Sequence, residues 1–495
     1  MRAVHLVPAG LVLVALGAIG AAAQLGHPAA APRPASSPAA TRQVPVTSAA
    51  RACPPAPDGG AAPVALLAGG ASATGTGQRG QVELTALPPA GQPVRATGPV
   101  RAQSPGALTL LTLPASRATG TKETPAAQGW SVAGGGTMAQ GLEAELTQDS
   151  GLASVRCAEP GSDLWFLGPG QQNGGSRVQL DLMNVDSTAA SVDVTVINDG
   201  GQAQAGNDNG ITVPPHQTVT ESLSSVAHGS SVLAIEVHTS IGRVAADVSV
   251  ESGGITSWLP GTASPSTQLV IPGVPPAGST AGLFVADPGT STAKVTVTAI
   301  TPQGHIRPFG SQSVDLPGQS ASYVALSPLG GTTAALQITS NVPVAAAVLV
   351  PGSSGPGVLT SATAPISGQA VVAGNTTGGG MAASVILSAP GAAARVRLAE
   401  IAPASRGGGT VTASQVVSVK AGRTLAAPVT APRGAKPGSA FAVVITPLAG
   451  SGPLYAARVE TQNRTTVVSI IPAASALTTI GLPPVRDSYN AISPP

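Results

Sequence analysis

The chain has 495 residues, of which 42% are hydrophobic but only 2% aromatic, with 62 Gly, 47 Pro and a net charge of +2. This length accommodates about three to five domains of roughly 100–150 residues each. Frequent glycine and proline disfavour long helices beyond the N-terminus. Charged residues make up 9% of the chain and form neither a run nor a basic stripe, so no nucleic-acid partner is predicted.

The N-terminus carries an apolar run from Leu6 to Ala23, preceded by Arg2. Two interpretations of residues 1–24 remain open: a cleaved signal peptide, or an uncleaved hydrophobic helix that anchors the chain in a membrane. Both place the remainder outside the cytoplasm. Residues 25–60 are rich in Pro, Ala and Ser, a composition that predicts a disordered linker or stalk.

Short runs of alternating polarity, bounded by Gly, Pro, Asn or Ser, predict an all-β fold for the rest of the chain. They are clearest between Ala281 and Val350. Turns that begin at Val213, Leu316 and Val419 lie 103 residues apart, and similar pairs of strands flank each of them. This period is too long for a solenoid unit and matches an immunoglobulin-like β-sandwich.

We therefore predict four immunoglobulin-like β-sandwich modules in tandem, with cores of Val, Leu, Ile and Ala. A competing interpretation is that the modules exchange edge strands. The predicted modules comprise residues 61–170, 171–265, 266–365 and 366–475, followed by a tail at 476–495.

The chain has two cysteines, Cys53 and Cys157. In an exported protein two cysteines predict one disulfide, here closing a loop of about 100 residues. The alternative is a pair of free, buried thiols.

Motifs for cofactors and metals are weak. Residues 75–80 (GTGQRG) match the dinucleotide-binding fingerprint, but a strand-like segment follows them where a helix is required, which favours a turn. His216, His228 and His238 fall in one module, yet their spacing is not that of zinc ligands. We predict no cofactor and no metal.

Catalytic patterns are also lacking in the sequence. No serine has the G-x-S-x-G context, and carboxylate pairs such as Asp193 with Asp199, or Glu143 with Glu145, are equally consistent with a strand surface. No catalytic residue is predicted, and the chain is not predicted to be an enzyme.

Three aromatic residues, Trp165, Phe166 and Trp258, lie near predicted module ends in a chain poor in aromatics. They are predicted to pack at junctions between modules. The alternative is a platform that stacks on a sugar or binds a partner.

The segment from Cys157 to Gly168 (CAEPGSDLWFLG), the strand end at Leu182–Asn184 and the Pro-Gly turns carry a family resemblance. Over about residues 50–475 the chain resembles an actinobacterial family of secreted or membrane-anchored proteins of unknown function. The resemblance implies a cell-envelope setting, since members are often encoded near a membrane glycosyltransferase. It implies no catalytic residues.

These observations lead to a non-enzymatic extracytoplasmic protein that acts as a structural or interaction scaffold in the cell envelope. Its partner would be an envelope protein or glycan, with the membrane contacted through the N-terminal segment. Two alternatives remain: an accessory or glycan-binding partner of an envelope glycosyltransferase, and a hydrolase assembled across modules.

Overall fold

The computed structural model describes residues 42–482 except 57–61, 70–79, 95, 100–104, 115–127, 148–153, 172–176, 204–208, 253–254, 277–280, 309–312, 327–328, 330, 352–356, 404–411, 436–437 and 464. The chain divides into two compact units, residues 1–44 with 480–495, and residues 45–479. The predicted signal or anchor (1–24) and most of the GTGQRG segment lie outside the described residues. Within the described part, no helix is long and apolar enough to cross a membrane.

The larger unit consists of four copies of one strand pattern, which we call repeats 1 to 4. The strand β1 (Arg42–Pro45) precedes them. Repeat 1 contains β2 (Ser48–Cys53), β3 (Ala62–Leu67), β4 (Val82–Leu87), β5 (Ala96–Pro99), β6 (Leu108–Leu113), β7 (Gly129–Gly135), β8 (Glu143–Thr147) and β9 (Ser154–Arg156). Repeat 2 contains β10 (Asp163–Pro169), β11 (Arg177–Met183), β12 (Ala190–Asn198), β13 (Gly201–Ala203), β14 (Ile211–Val213), β15 (Thr218–Ser222), β16 (Val232–Ile241), β17 (Ala245–Ser252) and β18 (Ile255–Leu259).

The remaining strands follow the same plan. A short strand, β19 (Gly261–Thr262), connects repeats 2 and 3. Repeat 3 contains β20 (Ser266–Val274), β21 (Ala281–Asp287), β22 (Ala293–Ile300), β23 (His305–Ile306), β24 (Val314–Leu316), β25 (Ser320–Leu326), β26 (Ala334–Val350) and β27 (Val358–Ser361). Repeat 4 contains β28 (Ala370–Asn375), β29 (Met381–Ala389), β30 (Ala394–Ile401), β31 (Thr412–Val419), β32 (Arg423–Val429), β33 (Phe441–Pro447), β34 (Tyr455–Gln462) and β35 (Thr466–Pro472). The last strand, β36 (Thr479–Leu482), pairs with β1. Two one-turn helices span Gly136–Ala139 and Ser224–Ala227.

All four repeats share one topology of two antiparallel sheets. The first sheet joins strand positions 1-6-3-4 and the second joins positions 5-2-7-8, for example β28-β33-β30-β31 and β32-β29-β34-β35 in repeat 4. In repeats 2 and 3 the fourth position is split into two short strands. In repeat 3 the long strand β26 supplies the sixth and seventh positions by passing from one sheet to the other.

Alternation of side chains explains why each repeat closes on itself. Along β12, residues at every second position are buried, and in repeat 4 the alternate residues of both sheets enter one hydrophobic cluster. Valine, leucine, isoleucine and alanine dominate these clusters, as the sequence predicts. A strand that is apolar on one face requires a second layer to cover it, and the second sheet provides that layer.

The central turn of each repeat contains a residue in the left-handed backbone region. These residues are His216, Gln319 and Gly422, at intervals of 103 residues, with φ angles of 52°, 55° and 65°. Gly106 (φ 77°) lies in the corresponding turn of repeat 1. The periodic turns predicted from the sequence are thus one repeated backbone feature.

Successive repeats pack first sheet against second sheet. Repeats 1 and 2 share a cluster that includes Leu87 and Met183. Repeats 2 and 3 share one that includes Phe166 and Phe284. At the contact of repeats 3 and 4, the backbone at Gly273 lies directly against Ala457, so closely that an added Cβ would be 2.6 Å from the alanine methyl.

The same packing of first sheet against second sheet also joins repeat 4 to repeat 1. Val371 and Val444, from the first sheet of repeat 4, cluster with Ala65 and Leu67 from the second sheet of repeat 1. The contacts between repeats therefore form a closed cycle, 1-2-3-4-1. Head-to-tail interfaces either close in this way or continue indefinitely.

Backbone hydrogen bonds hold the segment that follows repeat 4 to repeat 1 and to the residues just before it. The amide of Gly141 donates to the carbonyl of Leu477, and the amide of Val46 donates to the carbonyl of Thr478. The chain after the last repeat thus crosses to the first one.

Several sequence predictions need correction. The linker predicted to reach residue 60 ends earlier, because Ser48–Cys53 is the first strand of repeat 1 and pairs with β7. The segment Asp163–Pro169, assigned to the end of module 1, is the first strand of repeat 2. Among the described strands of the larger unit, every ladder joins strands of one repeat except that of the connecting strand β19, which pairs with β10, so these ladders contain no edge strand exchanged between repeats.

Candidate functional site

The second sheet of repeat 1 presents two acidic residues on the face that points away from its own core. On β8, Ala144 and Leu146 enter the core of repeat 1, whereas Glu143 and Glu145 point to the opposite face. Both carboxylates are buried, with 1% and 2% of their area exposed. A buried carboxylate requires a charged or hydrogen-bonding partner. Glu143 and Glu145 each contact an arginine.

Glu145 meets repeat 4 in a group of residues that we call the closure cluster: Glu145, Gly374, Arg458 and Glu460. One oxygen of Glu145 lies 2.8 Å from Nη1 of Arg458, and the other accepts a hydrogen bond of 3.0 Å from the amide of Gly374. Nη1 of Arg458 also donates to the carbonyl of Gly374 and lies 3.4 Å from Glu460. Arg458 is fully buried. The cluster therefore links strands β8, β28 and β34 across the closing interface.

The protonation of Glu145 is perturbed by this environment. Burial raises the pKa of Glu145 to about 7, although the Arg458 guanidinium acts in the opposite direction. The desolvation of the carboxylate thus outweighs its ion pair. The charge of Glu145 changes near neutral pH.

Glu143 lies in a second group, the Arg156 cluster, formed by Arg51, Glu143, Arg156 and Glu159. Arg156 donates two hydrogen bonds of 2.7 Å to the two oxygens of Glu143. Arg51 lies 3.6 Å from Glu143 and 3.4 Å from Glu159. Two-point pairing of this kind is the strongest geometry between arginine and a carboxylate.

The disulfide between Cys53 and Cys157 fixes the Arg156 cluster. The structure contains this bond, as the sequence predicts. Arg51 precedes Cys53 by two residues and Arg156 directly precedes Cys157. The covalent bond therefore holds both arginines beside Glu143.

Two more buried carboxyl groups lie on repeat 2, on the face of its second sheet that carries Met183. Asp181 and Asp247 are directly opposite each other on β11 and β17. Asp181 accepts hydrogen bonds from Thr220 (2.7 Å) and Gln179 (3.2 Å). Burial raises the pKa of Asp181 to about 6, against these hydrogen bonds.

Asp247 is perturbed more strongly. Burial and then the neighbouring carboxylate of Asp181 raise its pKa well above the usual range, while Arg156 of repeat 1 acts in the opposite direction. Each of two facing carboxylates in a buried site disfavours ionisation of the other. Both interfaces of repeat 1 thus contain buried titratable groups.

Chemically, these groups are suited to holding repeats together. Glu145, Asp181 and Asp247 are each less than 5% exposed and lie beneath a neighbouring repeat. Within the described ranges, no three His, Cys, Asp or Glu side chains are grouped to hold a metal ion. A substrate would have to separate two repeats to reach any of these carboxyl groups.

The aromatic residues predicted at junctions are all buried. Trp165 is 3% exposed and its indole nitrogen donates to Asp163, while Phe166 belongs to the cluster shared by repeats 2 and 3. Trp258 is 8% exposed and lies in the cluster of repeat 1. None of the three presents an open face to solvent.

The sequence interpretation missed most of the charged residues of these interfaces. The sequence leaves Glu143 and Glu145 equally consistent with a strand surface, and the structure shows that both are buried. The sequence interpretation did not single out Asp181, Asp247 or Arg458. The available signal was their position within strongly apolar runs, such as LYAARVE around Arg458, in a chain with 9% charged residues. By contrast, Asp199 is exposed and bonded to Ser231, as expected for a surface position.

A protein-family model matches most of the chain. Residues 115–430 match the model described as "Family of unknown function (DUF5719)". No curated protein and no solved structure matches the chain.

Proposed function

Because the chain belongs to DUF5719, a family of unknown function, we propose a role from its own geometry: a non-enzymatic, extracytoplasmic scaffold. The observation that carries this proposal is the closed cycle of four repeats, in which repeat 1 contacts both repeat 2 and repeat 4. Each repeat would be an immunoglobulin-like sandwich. A cycle of this kind restricts the movement of its members and presents their outer edges in fixed positions.

The disulfide supports a location in an oxidising compartment, because such bonds persist in exported proteins and are rare in the cytosol. The apolar run at residues 6–23 would direct the chain there, as a signal peptide or as an anchor. The family resemblance adds the cell envelope as the setting. Alkylation of thiols in freshly lysed cells should find no reactive cysteine, and the intact mass of the mature protein would tell whether the N-terminal segment is removed.

Burial of the aromatic residues favours the junction role over the sugar-stacking platform. A glycan-binding accessory role would need a surface built from other residues, since Trp165 and Trp258 are covered. Glycan binding that is lost in Trp258→Ala without a change of melting temperature would favour that alternative.

A direct test separates the scaffold from a hydrolase assembled across repeats. We expect the purified full-length protein to show no turnover of cell-wall polymers, and Glu145→Gln and Asp247→Asn to behave like the wild type. Turnover that either single substitution abolishes would contradict the proposal. As a positive test, wild-type protein used as bait in intact envelopes should retain partners that Arg458→Met, a variant with a weakened contact between repeats 4 and 1, loses.

A further inference from the structure

One edge strand of the molecule differs from its counterparts in the other repeats. The fourth strand position lies at the edge of the first sheet in each repeat. It contains four residues in repeat 1 and is split into pieces of three and three, or two and three, in repeats 2 and 3. In repeat 4 the same position is β31, a single strand of eight residues.

β31 pairs with β30 along its whole length without a bulge, from Thr412 to Val419. Its sequence, TASQVVSV, contains no charge and no proline. Within the part of the chain that the structure describes, no strand pairs with its outer edge. Proteins normally protect a long edge with charges, prolines, bulges or short strands, and β31 has none of these.

The face beside this edge is basic. Val416 is 53% exposed and lies opposite Arg397 on β30, and Ser418 lies opposite Arg395. Both arginine side chains are exposed, and neither forms a salt bridge among the described residues. Alternate residues of an added strand would lie on this same face, at about 10 Å from β30, or two strand spacings.

We propose that β31 is a strand-addition site for an extended peptide segment of a partner protein that carries acidic side chains at alternate positions. The main chain of the peptide would pair with the outer N–H and C=O groups of β31. Its acidic side chains would extend over Val416 toward Arg395 and Arg397. This inference rests on the proposed scaffold function and names the class of partner.

The test uses a phage-displayed library of random twelve-residue linear peptides, panned against the purified full-length protein. Selected peptides should be enriched in Asp and Glu at every second position. Val416→Asp places a negative charge on the edge and should weaken their binding by about tenfold or more. Val416→Thr keeps the shape and charge of the edge and should change binding less than about twofold.

A double variant, Arg395→Glu with Arg397→Glu, should reverse the preference toward peptides with alternating Lys. All these positions are exposed, so melting temperatures should stay close to that of the wild type.

Lack of acidic enrichment, or unchanged binding in Val416→Asp, would overturn the inference. So would a wild-type dimer in sedimentation that Val416→Asp converts to monomer, because a second copy would then occupy the edge. None of these outcomes involves polymer turnover, so the scaffold proposal would fail separately.

Discussion

Two interfaces of the cycle have the same backbone arrangement and different chemistry. Between repeats 3 and 4, Gly273 on a first-position strand lies against Ala457 on a seventh-position strand. Between repeats 4 and 1, Gly374 occupies the corresponding place, but the residue against it is Glu145. Between repeats 3 and 4, the methyl group of Ala457 therefore packs on the backbone of Gly273. Between repeats 4 and 1, the corresponding contact is an ionic cluster that includes Arg458.

This difference explains how, in a cycle of similar repeats, repeat 4 can be paired specifically with repeat 1. Apolar contacts stabilise without strong dependence on the exact partner. A buried carboxylate is costly unless its own arginine and amide are present, so a wrong neighbour is penalised. The apolar interfaces should therefore be insensitive to pH, and the interfaces of repeat 1 should respond to it.

The largest effect is expected from Arg458→Met. This change leaves Glu145 and Glu460 buried without their cation, which typically costs about 3–5 kcal/mol of the free energy of unfolding. Chemical denaturation at pH 8 would measure it. Arg397→Met, which removes an exposed arginine, is the control and should change stability by less than about 0.5 kcal/mol. Equal losses in the two variants would mean that the closure cluster contributes nothing.

The apolar counterpart can be tested with Gly273→Ala. The added methyl would lie 2.6 Å from the Cβ of Ala457, and the φ of 85° disfavours alanine. Together these effects should cost about 2–4 kcal/mol. Gly450→Ala has a similar φ of 81° but no atom within 4 Å, so it should show only the backbone cost of about 1–2 kcal/mol. If both variants lose the same stability, repeats 3 and 4 are not in close contact at this point.

A third expectation concerns pH. The pKa of Glu145 is raised to about 7 and that of Asp181 to about 6, so the folded state binds more protons than the unfolded state between pH 4 and 7. Stability should therefore fall as pH rises through this range, with each of the two groups contributing on the order of 2–3 kcal/mol. Denaturation curves at pH 5 and pH 8 would detect the fall, and Glu145→Gln should reduce it. A stability that rises over the same range would contradict the assignment.

The smallest effect is expected at an exposed ion pair on repeat 2. Arg177 and Glu251 are 3.8 Å apart and 70% and 49% exposed. Because such pairs contribute little, Glu251→Gln should change the free energy of unfolding by less than about 0.5 kcal/mol. A larger loss would show that burial is not what distinguishes the closure cluster.

The sequence was sufficient to predict the features that local pattern controls. Alternating valines predicted the strands, the turns that begin at Val213, Leu316 and Val419 predicted the period, and the cysteine pair predicted the disulfide. The boundaries were less certain, because Asp163–Pro169 is an apolar strand that local pattern allows at either side of a repeat junction.

Closure of the cycle could not be predicted, for a physical reason. Alternation shows which residues share a face, but not what covers that face. Glu143 and Glu145 alternate with Ala144 and Leu146, a pattern identical to that of a strand facing water. Glu145 is paired with Arg458 of repeat 4, which is distant in the sequence, and Glu143 is paired with Arg156 and Arg51.

A double-mutant cycle between Glu145→Gln and Arg458→Met tests the closed arrangement most directly. The two residues belong to the first and last repeats, so they interact only if the cycle is closed. We expect the losses of stability to be non-additive, with a coupling of about 1–3 kcal/mol at pH 8. Additive losses, within about 0.5 kcal/mol, would show that repeats 1 and 4 do not meet at this cluster.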